Sequence, residues 1–383
     1  MNNNHELELF ERAYFKISSF LGRMSKILTA FIIRGRKFLA LPYCYFKFID
    51  WNECPVSKYQ VVLDFIYIFF KLKYYPENYG YCRLWEKSRD EWKYYYGSNY
   101  DAYQRYRLEQ EVQEREYQIL FNDKEVCQQI CDNAGLKMAN WVGVLRPSEN
   151  YRAKLESFFQ SGVFEKLILK PARGNGGRGV TLAVKKGDKI ILSSQKNEVN
   201  SGDFIIQEKY IVQEVIEQDE QLSALSSSVS IRLITLYTKS DDVIFLSGEL
   251  NTAVDGSYLS NWSVGGIMIG VDTETGKLRE IGYDKYGHCY KEHPTSKIIF
   301  RGFQIPQWRE VVDLAIKVQK SFPYFRMLGP DIALSKNGPV LYEINATPDL
   351  SSTEQANGPL LANQKIRDEF RKYNLLINNA LDK

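Results

Sequence analysis

Between Leu167 and Val180 an apolar run ends in Lys170-Pro171 and opens into a loop holding Gly174, Asn175, Gly176, Gly177 and Gly179. The spacing satisfies GxGxxG, but a β-branched run, Val180 to Val184, follows where a dinucleotide fold needs a helix. The reading is strand–loop–strand. Without Cβ atoms, such a loop can lay backbone N–H groups over a triphosphate, and Lys170 adds a cation. An ordinary surface hairpin has the same composition.

A second group lies near the C-terminus. In the run Val340 to Asn345 the strand period of two puts Glu343 and Asn345 on one face, with Val340, Tyr342 and Ile344 towards a core. Asp331 begins the preceding strand, and Ser335-Lys336-Asn337-Gly338 is a tight-turn composition. A hairpin would bring two carboxylates and one amide oxygen together, hard ligands of the kind Mg²⁺ shares with substrate phosphates. An exposed acidic strand face is the plainer alternative.

Arg232 stands inside the otherwise apolar run Val229 to Leu236. A buried arginine needs an anion, either a phosphate or carboxylate ligand or a structural partner on a neighbouring strand. Gln213, Glu214, Val215, Ile216 and Glu217 form a connector whose backbone could read an adenine edge. His288, Cys289 and His293 invite a zinc reading, yet lack a fourth ligand and read better as loop residues.

These residues need strands to position them. From about Trp141 the chain is a series of short β-branched runs broken by Gly, Asp and Asn, with one amphipathic helix over Trp308–Phe322. The class is α+β with antiparallel sheets. Upstream, a helix is expected over Tyr100–Gln118 and another over Lys124–Asn133, capped by Asn122-Asp123 and ended by Gly135. On the latter, Cys127 and Cys131 read as buried small hydrophobes. Residues 1–120 form a mainly helical, aromatic-rich region. Residues 121–383 hold the candidate site, in a glycine-loop lobe (141–212) and a carboxylate lobe (213–383).

Bulk composition narrows the partners. A formal net charge of +3 gives no electrostatic case for nucleic acid. Six cysteines without a CxxC pair, no secretory-type N-terminus and no apolar run of spanning length point to a reducing cytoplasm. From Arg12 to Lys47 there are eight Lys or Arg and no acidic residue, interleaved with aromatic and aliphatic side chains. Such a segment is either a solvated basic face or a peripheral contact with an anionic membrane or an anionic partner.

The order of these pieces, a Lys-Pro-Gly loop, a connector, an arginine strand, then Asp331 and Glu343-x-Asn345, resembles the ATP-grasp superfamily. It is most similar to its sugar-transfer-associated family, over roughly residues 121–355. The resemblance implies two α+β lobes enclosing ATP, and a carboxylate–amine ligase working through an acyl phosphate on a sugar or glycan. A hydroxyl phosphotransferase and a silent scaffold are the alternatives. It further implies that Lys170 contacts phosphates, Gly174–Gly179 form the flap, Glu214–Ile216 line adenine, and Glu217 or Gln218 reaches ribose. Arg232 would stabilise the transferring phosphoryl group, and Asp331, Glu343 and Asn345 would hold Mg²⁺. Arg173 is a candidate substrate contact.

Overall fold

The computed structural model describes residues 3–97, 102–160, 162–174, 176–194, 198–378 and 381, with side chains from Lys16 onward apart from Arg23, Lys26, Ala102 and Tyr103. The expectations for Tyr100 and Asn175 lie outside the described residues.

Two antiparallel sheets carry the α+β fold. The first contains β1 (Trp141–Leu145), β2 (Lys166–Pro171), β3 (Thr181–Lys186), β4 (Lys189–Ser193), β5 (Glu198–Asn200) and β6 (Tyr210–Glu214), in the order β1-β6-β2-β3-β4-β5. The alternation in Lys166–Pro171 buries Leu167 and Leu169 in the core of this lobe, with Leu155 and Phe159 of the helix Tyr151–Gln160 packed on them.

The second sheet contains β7 (Val229–Tyr237), β8 (Val243–Thr252), β9 (Ile267–Val271), β10 (Leu278–Tyr283), β11 (Cys289–Tyr290), β12 (Met327–Ser335) and β13 (Gly338–Asn345). Its order is β11-β10-β9-β8-β7-β12-β13. The helix Trp308–Ser321 lays Val311, Ala315 and Val318 on its inner face. The β12–β13 hairpin closes through Ser335 opposite Gly338, as the turn composition predicts. Its register differs from simple alternation. Asp331 opposes Glu343 while Ile332 opposes Leu341, so Tyr342 is the extra residue of a bulge. Leu341 therefore enters the core and Tyr342 is turned out of it.

The helix over Lys124–Asn133 forms as expected. Asp123 caps it, accepting from Glu125 N (3.1 Å) and Val126 N (3.4 Å), and Cys127 and Cys131 are buried in the main core. The helix expected over Tyr100–Gln118 is shorter, Ala102–Glu111. Tertiary pairing stops it: the Val112 carbonyl accepts from Met327 N at 3.1 Å, at the start of β12.

The N-terminal region begins with the long helix Asn3–Leu39 and continues through Leu41–Lys47 and Lys58–Tyr67. Its core explains the aromatic excess: Phe65, Phe69, Tyr74, Tyr79 and Trp92 are buried together. Asp64 is buried among them, accepting from Tyr79 Oη (2.9 Å) and Gln60 Nε2 (2.8 Å) and paired with Arg89.

A buried carboxylate helps to fasten the region to the sheet lobe. Glu354, in the helix Leu350–Asn357, is 1% exposed. It accepts from Tyr96 N (2.7 Å), Gly97 N (2.9 Å), Asn78 Nδ2 (2.8 Å) and Leu360 N (3.0 Å). Removing the acceptor strands buried donors on both sides of the junction. Glu354→Ala is expected to lower stability by about 3 kcal/mol or more, read as a fall in the denaturation midpoint.

Candidate active site

A cleft of about 350 Å³ lies between the two sheets. One wall is the first sheet, with Ile168, Lys170, Leu182 and Gln213. The opposite wall comes from β7, β12 and β13, with Ser230, Ala333, Tyr342 and Glu343. Gly174, Gly177 and Arg178 of the glycine loop and the backbone of Glu214, Val215 and Ile216 complete it.

The loop is held at its base and touches the second lobe at its tip. Lys124 N donates to Ala172 O (2.9 Å) and Ala172 N to Lys209 O (2.8 Å). Gly174, Gly176, Gly177 and Gly179 all have positive φ. At Gly177 a Cβ would stand 2.9 Å from Asn261 Oδ1, and at Gly179 2.8 Å from Pro171 Cγ, so side chains are excluded by conformation and by space.

Across the floor of the second lobe runs a row of charge. Glu249 (β8) faces Arg232 (β7), Arg232 faces Asp331 (β12), and Asp331 faces Glu343 (β13) in register. Arg232 Nε and Nη2 donate to Asp331 Oδ1 (2.7 Å) and Oδ2 (2.8 Å). Asn345 Nδ2 donates to Asp331 Oδ2 at 2.9 Å. Thr353 Oγ1 donates to Glu249. Burial alone would disfavour the guanidinium charge, but Asp331 and Glu249 outweigh it and hold Arg232 above its ordinary value. Burial pushes Glu249 up to about 7, against the pull of Arg232 and the Thr353 hydroxyl.

Lys124 connects the row to the loop. Its Nζ lies 3.3 Å from Glu343 Oε1 and donates to Gly174 O at 2.7 Å. Lys170 Nζ sits 5.0 Å from the Tyr342 ring centroid, beside the same carboxylate. Burial lowers Lys170 to about 8, with Lys124 pushing the same way against Glu343 and Asp331.

A model of the sugar-transfer associated ATP-grasp family matches residues 103–368. The chain belongs to this family. No curated protein matches it. Solved structures with a similar arrangement include an ADP complex of the N5-carboxyaminoimidazole ribonucleotide synthetase purK (11% identity, TM-score 0.37, 60% of this chain and 46% of that one). A D-alanine–D-alanine ligase from Coxiella burnetii is another (10%, 0.37, 67% and 59%). A phosphoribosylamine–glycine ligase from Thermotoga maritima is a third (10%, 0.42, 68% and 57%). The chain spans about half the length of the structures it matches first.

Within this ATP-grasp frame, the structure brings Lys170, Gly174, Gly177, Gln213, Glu214, Val215, Ile216 and Glu343 to one cleft. Asp331, Asn345 and Arg232 do not line it; Asp331 opposes Glu343 across the hairpin and is bonded by Arg232 and Asn345. Gln218 lines the cleft but spends its amide on backbone, donating to Ser226 O (2.9 Å) and accepting from Val229 N (2.7 Å). Glu217 is exposed and paired with Lys336, outside the cleft lining. Arg173 lies outside it too, donating to Asp123 Oδ2 at 3.0 Å.

The donors suit the family's ligands. Lys124, Lys170 and Arg178 supply cations around the loop's N–H groups, and Ile168, Leu182, Val215 and Ile216 supply an apolar slot for a base. Glu343, Asp331 and the Asn345 amide are hard oxygen donors of the kind Mg²⁺ takes when it also binds phosphates. Among the described residues, no three His, Cys, Asp or Glu side chains are placed to hold a metal ion. That disposes of the zinc reading there: His293 is buried with Nε2 2.9 Å from Ala253 O, and His288 Nδ1 is 2.8 Å from Asp284 Oδ2.

Two members of the site escaped sequence reasoning. Glu249 is a carboxylate within Val243–Leu250, and the logic that singled out Arg232 in an apolar strand applied equally to it. Lys124 carried no signal beyond its place in a helix's first turn.

The depressed Lys170 titrates near working pH, and its sign is fixed by charge. Below about 8 it is a cation and attracts phosphate; above, it is neutral. ATP affinity measured by calorimetry should weaken on the alkaline side, approaching tenfold per pH unit, and Lys170→Met should flatten that slope. The ligand-free protein should behave oppositely, gaining stability as pH rises from about 8 towards 10.5, because there the unfolded chain holds the extra proton.

Proposed function

We propose that the protein is an ATP-dependent carboxylate–amine ligase that works through an acyl phosphate, with a sugar or glycan as part of one substrate. The observation that carries this reading is the cross-strand row Glu249–Arg232–Asp331–Glu343, whose last member, Glu343, lines the same cleft as the glycine loop and Lys170. Phosphoryl transfer needs positioned charge more than a side-chain nucleophile, and this cleft is built of positioned charge.

In this reading Lys170 and the loop N–H groups, from Gly174 to Gly179 with Asn175, hold the phosphates. Gln213 to Ile216 flank the adenine. Arg232 uses two of its donor nitrogens on Asp331, which fixes the guanidinium plane and leaves its other N–H groups for the transferring phosphoryl oxygens. Asp331, Glu343 and Asn345 would hold Mg²⁺, which supplies charge neutralisation on phosphate oxygens when bound. Local charge supports a metal-bearing guest. Asp331 and Glu343 oppose each other across the hairpin, and a bound cation would relieve the repulsion between these carboxylates and a triphosphate. The sugar partner rests on the family's description alone.

The test is ADP release from the purified chain against amino acids, amino sugars and uronic-acid glycans. Free phosphate with a joined product supports the ligase; a phosphorylated hydroxyl product replaces it with a phosphotransferase. Glu343→Gln should cut ADP formation by about a hundredfold or more with the melting temperature nearly unchanged. Undiminished turnover in that variant removes the metal assignment.

A further inference from the structure

The fold leaves apolar surface uncovered on two neighbouring helices. On Asn3–Leu39, Ile17, Phe20, Leu21, Met24, Leu28 and Phe31 follow i, i+3, i+4, i+7 spacing and form one stripe, each between 50% and 65% exposed. On the second, Lys58–Tyr67, the side chains of Tyr59, Val62 and Ile66 follow the same periodicity, and Phe70 in the π-helical turn Ile68–Leu72 extends the face, with exposures from 42% to 73%. The two faces meet where the Phe38 and Phe70 rings lie 5.6 Å apart, centroid to centroid. A helix in a soluble protein normally buries such a stripe, and a contiguous patch of this kind marks a contact with something else.

Charge selects the occupant. Eight Lys or Arg and no acidic residue occur from Arg12 to Lys47. By helical position the exposed Lys16 and Arg36 fall on the two flanks of the stripe, while Arg34 donates to Phe69 O and Lys37 lies over the Tyr75 ring, on the side that faces the protein. A symmetric contact between two copies through this face would set like charges against each other, whereas an anionic lipid surface complements both the apolar stripe and its basic flank. No helix among the described residues is long and apolar enough to cross a membrane, so the segment would lie in the interface plane. The stripe from Ile17 to Phe31 is roughly 21 Å long at helical rise.

We propose that these two helices seat the protein on an anionic membrane surface, with the apolar stripe at the acyl boundary and the basic flank among the headgroups. This inference stands on the exposed faces and their charge, independently of the reaction assigned to the cleft.

Flotation of the full chain with phosphatidylcholine vesicles, with and without phosphatidylglycerol, tests it. The wild type is expected to float with the anionic vesicles and to be released by salt. The pairs Leu21→Asp with Leu28→Asp, and Val62→Asp with Ile66→Asp, should each reduce partition by about tenfold or more. Lys16→Glu with Arg36→Glu should weaken binding in a way that depends on the anionic lipid. Circular dichroism and melting identify variants that fold, and because the apolar pairs lie on separate helices, either one decides the outcome. Absence of vesicle binding by the wild type, or equal binding by folded variants, overturns the proposal. So does concentration-dependent self-association that the first pair dissolves without any vesicle binding, which would make the face a contact between copies.

Discussion

The buried pair of Arg232 and Asp331 is the constraint around which this molecule is arranged. Two charges removed from water are tolerable only if geometry and further hydrogen bonds offset their desolvation. Here the bonds are bidentate, and each partner has a second neighbour: Glu249 beside Arg232 and Asn345 beside Asp331. Because directly opposed residues in an antiparallel sheet share a face, fixing one pair aligns the rest of the row. The register of β7 against β8 and β12 is therefore an electrostatic requirement as well as a packing one. A one-residue slip of β7 would drive Arg232 into the opposite core, where Leu233, Ile332 and Leu341 now sit.

The row also explains why the N-terminal region is joined to the lobe at the helix Leu350–Asn357. Thr353 on that helix holds Glu249, and the next residue, Glu354, receives backbone N–H groups of Tyr96 and Gly97 and the amide of Asn78. Ser351 donates to Glu77 at 3.2 Å. One turn of helix thus touches the charged floor on one side and the aromatic region on the other. Seven consecutive residues, Leu350 to Ala356, are buried, which leaves the turn little freedom to move independently of either neighbour. Ordering of the aromatic region and placement of Glu249 are mechanically linked through it.

Much of the site was legible before the fold was known, where local rules decide geometry. The change to β-branched residues after Gly179 identified a strand–loop–strand rather than a strand–loop–helix, and the Ser335–Gly338 turn fixed the hairpin carrying Asp331 and Glu343. Tertiary contacts erased the legibility elsewhere. Strict alternation sent Tyr342 to the core, but the bulge opposite Asp331 rotates it to the cleft, where its ring lies beside Lys170. No residue near Tyr342 marks a bulge in sequence. Helix-forming composition ran through Gln118, yet the demand of Met327 N for an acceptor ended the helix at Glu111. Glu249 was a different failure. Its sequence context matched that of Arg232, and a carboxylate in an apolar strand poses the same desolvation problem as a guanidinium.

The glycine loop shows how rigidity and freedom are divided around the cleft. At its base, backbone bonds from Lys124 and Ala172 join the loop to a helix start and to the Lys209 carbonyl, and Asp123 gathers Arg173 and Lys209 (3.0 and 3.4 Å). Arg173 and Lys209 outweigh the effect of burial and keep the Asp123 carboxyl below its ordinary value, so the anchor stays ionised through neutral pH. The tip is held far less: Ser263 Oγ donates to Gly176 O at 3.4 Å, a marginal distance. Lys124 joins the loop to the charged row, bonded to the Gly174 carbonyl and 3.3 Å from Glu343 Oε1.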